Sequence, residues 1–165
     1  MRTIISILFI LLFAAGLQAQ IAIPSSADVK KAEQSANTEV SKATSQANIG
    51  NLIGQLAGGI SDNSLTDAFK KNKSDFISKT SKVTDAAGAS SALQTLQGGL
   101  LPSAMDAGWG SVKDKWIKDA KTANTVKTVA GVAGTLESHI SPKSFKGDWA
   151  TARPAWQAAL SALAK

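Results

Sequence analysis

The sequence predicts an all-α fold: three divergent helical-hairpin repeats of about 40 residues, as a short solenoid or a bundle, preceded by one N-terminal helix. Three observations predict it. Aromatic pairs seven residues apart recur at an offset of forty, as Phe69 and Phe76, Trp109 and Trp116, and Trp149 and Trp156, and all four tryptophans fall on this grid. Upstream of each pair the same order returns: a leucine and a branched or leucyl residue (Leu56 and Ile60, Leu96 and Leu100, Leu136 and Ile140), a turn position (Asp62, Pro102, Pro142), then Leu65, Met105 or Phe145. Alternating β-branched and aromatic runs, the mark of strands, are missing, and the chain has no tyrosine.

The first element is not part of that fold. Met1-Arg2-Thr3 gives a short positive start, Ile4 to Ala15 is an apolar run broken only by Ser6, and Gly16-Leu17-Gln18-Ala19 places a small residue before Gln20. This pattern predicts a secretory signal peptide over residues 1–19, cleaved near Ala19. The apolar run falls well short of the roughly 20 residues that a transmembrane helix needs. The chain is therefore expected in the periplasm or secreted. The absence of cysteine removes disulfides, thiolate metal sites and thiol nucleophiles together. Stability must come from packing.

Residues 20–165 suit one helical domain with a real core. With Arg2 removed, 17 basic and 12 acidic residues remain, a formal charge of +5. In an exported protein this modest excess favours a protein partner or an anionic surface such as lipid headgroups or acidic polysaccharide, and nucleic acid is not expected.

Ser25-Ser26-Ala27-Asp28 supplies a capped start for the N-terminal helix, whose Val29, Ala32, Ala36, Val40, Ala43 and Ala47 recur at helical spacing. The repeat units then run over about 43–82, 83–122 and 123–165. In each, an alanine- and leucine-rich helix is stopped near a glycine pair or a histidine, at Gly58-Gly59, Gly98-Gly99 and His139. An aromatic-bearing helix follows, starting near Ser61 or Ser64, at Pro102, and at Ser141-Pro142. Pro154 falls inside the third of these and predicts a kink or split near Ala152-Arg153. One hairpin cannot bury its apolar stripe alone, so the three must pack together.

The chemistry is sparse. His139 is the only imidazole; its neighbours Glu137 and Ser141 lie two residues away on either side, and residues two apart on a helix point away from each other. No clustered ligand spacing, phosphate loop or nucleophile elbow is present, so the expectation is no catalytic residue, no cofactor site and no metal site. What remains is a binding surface. Lys73, Lys113 and Arg153 occupy equivalent repeat positions, four after the first aromatic and three before the second, so each cation lies near its aromatic pair. With Trp109, Trp116, Trp149 and Trp156 they form a candidate ladder for anionic or acidic partners, against the ordinary arrangement in which the rings are core and the cations border it. Gly50, Gly54 and Gly58 form a small-residue row that lets two helices approach closely, in a membrane or in a core. The expected function is a non-enzymatic helical repeat protein acting as an exported binding or scaffolding module. The alternative is a membrane-surface or lipid-binding amphipathic protein using the same residues outwardly.

Overall fold

A computed structural model describes residues 48–165; the signal segment and the helix expected from Ser25 lie outside the described residues. Six α-helices carry the fold: α1 (Ile49–Gly59), α2 (Asp67–Thr80), α3 (Ala86–Gly99), α4 (Trp109–Thr122), α5 (Val126–His139) and α6 (Trp149–Leu163). Among the described residues there is no strand. Short polar side chains start several of the helices: Asn48 accepts from the Asn51 amide, Thr66 from Phe69, Asp85 from Gly88, and Thr125 forms a reciprocal capping box with Thr128.

The helix starts expected at Ser61 or Ser64, Pro102 and Pro142 need correction. Those residues open 3-10 turns at Asp62–Ser64, Pro102–Ala104 and Pro142–Ser144, and the chain is then extended at Leu65, Met105 and Phe145. The reason is that backbone groups on either side of these positions are bonded to segments distant in the chain. Leu65 bridges to Leu100, Met105 to Ile140, and Phe145 back to Ile60. Around them the Thr66 amide donates to Gly99, Asp106 to His139 and Lys146 to Gly59, at 2.8–2.9 Å. In return the amides of Leu101, Ser141 and Ser61 donate to Ser64, Ala104 and Ser144, at 2.8–3.0 Å. The third junction returns to the end of α1, so the contacts close on themselves.

Helix packing follows the same circuit. α1, α3 and α5 pack against one another; α2 lies against α1 and α3, α4 against α3 and α5, and α6 against α5 and α1. The inner helices bury Ile49, Leu52, Ile53, Leu56, Leu93, Leu96, Val129 and Leu136 almost completely. At about 1.5–3 kcal/mol for each fully buried large aliphatic side chain, this layer is the main favourable contribution to folding.

The glycines act by close approach. No glycine among the described residues has a positive φ, so Gly59 and Gly99 do not end their helices in the left-handed conformation. A Cβ at Gly59 would stand 2.3 Å from Cε3 of Trp149, and one at Gly99 would stand 2.3 Å from Cδ2 of Phe69. Each glycine lets an aromatic ring from an outer helix lie on the inner helix backbone. The row on α1 serves the end of α2: a Cβ at Gly50 would meet the Thr80 and Val83 carbonyl oxygens at 2.3 Å, and one at Gly54 the Ser81 hydroxyl at 2.6 Å. Among the described residues no helix is long and apolar enough to cross a membrane.

α6 is not split at Pro154; it runs from Trp149 to Leu163 with the proline inside. Pro154 and Ala150, whose carbonyl loses its usual amide partner, are both exposed, so water can take the free acceptor. Interior proline costs about 3 kcal/mol relative to alanine, of which up to about 1 is offset by its stiffening of the unfolded chain. Pro154→Ala should therefore raise stability by about 2 kcal/mol, read from the urea midpoint.

Candidate functional site

The aromatic pairs of the repeat grid are in contact, with ring centroids 5.0 Å apart for Phe69 and Phe76, 5.6 Å for Trp109 and Trp116, and 5.9 Å for Trp149 and Trp156. All four indoles face inward; none is more than 7% exposed. Trp116 Nε1 donates to the Val132 carbonyl at 2.9 Å and Trp156 Nε1 to the Leu52 carbonyl at 2.7 Å. The two acceptors occupy matching places on α5 and α1. Trp149 stacks on Phe145 at 5.4 Å, and its buried Nε1 has no partner.

The three cations in repeat register meet different fates. Lys73 is buried, and its Nζ donates to the Ile60 carbonyl and, at 2.9 Å, to Asp62 Oδ1. Arg153 is half-buried, with Nε 2.5 Å from Oε1 of the buried Glu137. That pair is close by distance, but its angle does not make a hydrogen bond, since both atoms are otherwise unpartnered. Glu137 Oε2 accepts from Gln157 at 3.3 Å. Lys113 is exposed and has no ion pair among the described residues. The structure thus brings each aromatic pair together and turns all but the half-buried Phe76 into the core, while two of the three cations are held by carboxylates.

The Lys73 hydrogen bond, then its charge, holds the Asp62 carboxyl below its ordinary value, with Lys146 and Lys70 adding to the effect. A depressed carboxyl pKa contributes stability that is present above the unfolded value and lost as pH falls through the folded one. Asp62→Asn should therefore remove part of the acid sensitivity below pH 3.8, the ordinary value, and leave the neutral-pH profile parallel. Urea midpoints measured across that interval check this.

His139 stands at the end of α5, where Gly59 and Gly99 stand in the other inner helices. Its Nδ1 lies 3.2 and 3.3 Å from the two oxygens of Asp106, and its ring lies 6.0 Å from Trp109. Asp106 also accepts from the Trp109 amide at 3.0 Å, so its carboxylate serves the start of α4 as well as the imidazole. Glu137 is turned to Arg153, and the Ser141 amide is committed to Ala104, so these two sequence neighbours do not assemble around His139. Sequence reasoning missed Asp106, which is 33 residues away. No sequence signal pairs 106 with 139; their proximity comes from the Asp106 amide donating to the His139 carbonyl. Among the described residues no group of three His, Cys, Asp or Glu side chains could hold a metal ion.

Two open grooves lie between outer and inner helices. The larger, about 460 Å³, runs between α2 and α3 along Phe69, Asn72, Asp75, Phe76, Thr95 and Gly98, with Lys79 at its edge. The second, about 350 Å³, lies between α4 and α5 beside Trp116, Thr128, Gly131 and Val132. No protein-family model matches the chain, and neither does any curated protein or solved structure.

Proposed function

We propose that this chain is an exported, non-enzymatic binding or scaffolding module, made of three diverged helical hairpins of one origin that join into a ring and offer a fixed helical surface. The observation that carries the reading is the burial of all four indoles. Rings that fill the core are spent on holding the surface in place, which argues against the membrane-surface alternative that would need them outside. Lys70, Lys71 and Lys79 on α2, and Lys115, Lys118 and Lys121 on α4, are exposed. They suit an acidic protein or polysaccharide partner, with Lys79 and Lys115 partly neutralised by Asp75 and Asp119.

Tryptophan emission of the purified mature chain, alone and titrated with anionic vesicles, tests this. Blue emission that vesicles leave unchanged is the expected result. Red emission that moves to the blue on lipid would make the aromatic grid a membrane face and remove the reading. Should any hydrolytic activity be detected, its survival in His139→Ala would exclude the only imidazole as its base.

A further inference from the structure

The junctions between hairpins differ most in how their aromatic positions are filled. Between α6 and α1, Gly59 is covered by Trp149, with Trp156 behind it donating into α1. Between α2 and α3, the matching Gly99 is covered by Phe69, with Phe76 at the position of Trp156, and a Cβ at Gly98 would meet nothing within 4 Å. Two single rings stand where the other junction has two fused bicyclic rings. Phe76 remains half-buried and the groove of about 460 Å³ is left over it. The groove is larger than the one of about 350 Å³ beside Trp116, where both aromatic positions hold indoles.

The edge of the groove carries complementary charge. Asp75 and Lys79 both line it, one turn apart on α2, and pair with each other at 2.8 Å with both side chains largely exposed. Such a pair is worth no more than about 1 kcal/mol, so it opens readily to a ligand that satisfies both members. Residues 20–47 contain no aromatic side chain, so the chain's own N-terminal stretch does not supply the missing ring.

We infer that the groove between α2 and α3 binds a small aromatic zwitterion of the free aromatic amino acid class, with its ring against Phe69, Phe76 and the Gly98-Gly99 backbone, its ammonium on Asp75 and its carboxylate on Lys79. This rests on the binding-module reading and gives it a ligand class. Ring stacking on the phenylalanines provides the apolar contact, and the two opposed charges select against a neutral or singly charged aromatic.

Amide NMR of the full mature chain, titrated with L-tryptophan, tests the assignment. A Cβ at Gly98 would meet no atom within 4 Å, so Gly98→Leu fills the groove without displacing the fold. The expected result is saturable shifts at Asn72, Thr95 and Gly98, binding at least about tenfold weaker in Gly98→Leu, and weaker binding of indole, which lacks both charges. A second variant, Asp75→Asn with Lys79→Gln, should bring L-tryptophan down to the level of indole. Shifts that fail to saturate, that persist in Gly98→Leu, or that appear equally at Thr128 and Gly131 in the other groove would overturn the assignment. Those outcomes leave the vesicle test unaffected, so failure of the ligand and failure of the module reading are separately visible.

Discussion

Replacing Gly50 by alanine is expected to destabilise the protein by about 3 kcal/mol, the upper end of the range for overpacking a close-packed interior. The added methyl would stand 2.3 Å from two carbonyl oxygens, those of Thr80 and Val83. Backbone oxygens at a helix end cannot swing aside as the tip of a side chain can. The Val83 amide donates to Thr80 at 2.9 Å, and Asn48 Nδ2 donates to the Ser81 carbonyl at 3.2 Å, so relief would break the contacts that dock α2 on α1. Gly131→Ala is the matched control. It lies exposed inside α5 with nothing within 4 Å of the added carbon, and should raise stability by about 0.5–1 kcal/mol through helix propensity. Opposite shifts of the urea midpoint for the same chemical change would establish that the row on α1 is a contact surface. A loss at Gly50 no larger than about 1 kcal/mol would mean that α2 can retreat.

The second large effect is expected at Arg153. Its partner Glu137 has a side chain only 3% exposed, while the Arg153 side chain is 41% exposed. Arg153→Ala would leave a buried carboxylate with Gln157 as its remaining side-chain partner, at a cost of about 3 kcal/mol, the low end of the range because the cation is partly in water. Replacing both members by apolar residues, Glu137→Leu with Arg153→Met, should return most of that loss, since it removes the charge together with its need for a partner. The coupling from the double-mutant cycle checks this. Additive losses would show that the two side chains are neighbours without interaction.

The alternation of inner and outer helices was legible because helical spacing and the aromatic grid are properties of single segments. Leu56, Leu96 and Leu136 repeat at forty and are all fully buried, as an inner apolar face requires. Leu65, Met105 and Phe145 were placed inside helices because they stand four residues before an aromatic, and that spacing does not separate a helical turn from an extended residue paired to another hairpin. The glycines at 58–59 and 98–99 suggested helix stops. For Gly59 and Gly99 the reason is a ring arriving from elsewhere in the chain, which no local pattern carries. The candidate site divides in the same way. The aromatic and cationic positions were legible by register, but not which way they face: Lys73 is drawn in by an Asp62 whose counterparts at the forty-residue offset are Pro102 and Pro142, and Arg153 by a Glu137 whose counterparts are Ala57 and Gln97.

The bridge from Phe145 to Ile60 changes how such a protein must fold. Stacked repeats with free ends fold by nearest-neighbour propagation and can fray one unit at a time. Here the two sequential bridges close chain segments of about 35 residues and the last closes about 85, a difference that costs only about 0.8 kcal/mol of loop entropy. Against that small cost the last bridge gives each of the helix pairs α1–α2, α3–α4 and α5–α6 two neighbours. Partial unfolding of any one pair then opens two interfaces instead of one, and denaturation should be a single concerted transition without populated states that keep only one or two pairs.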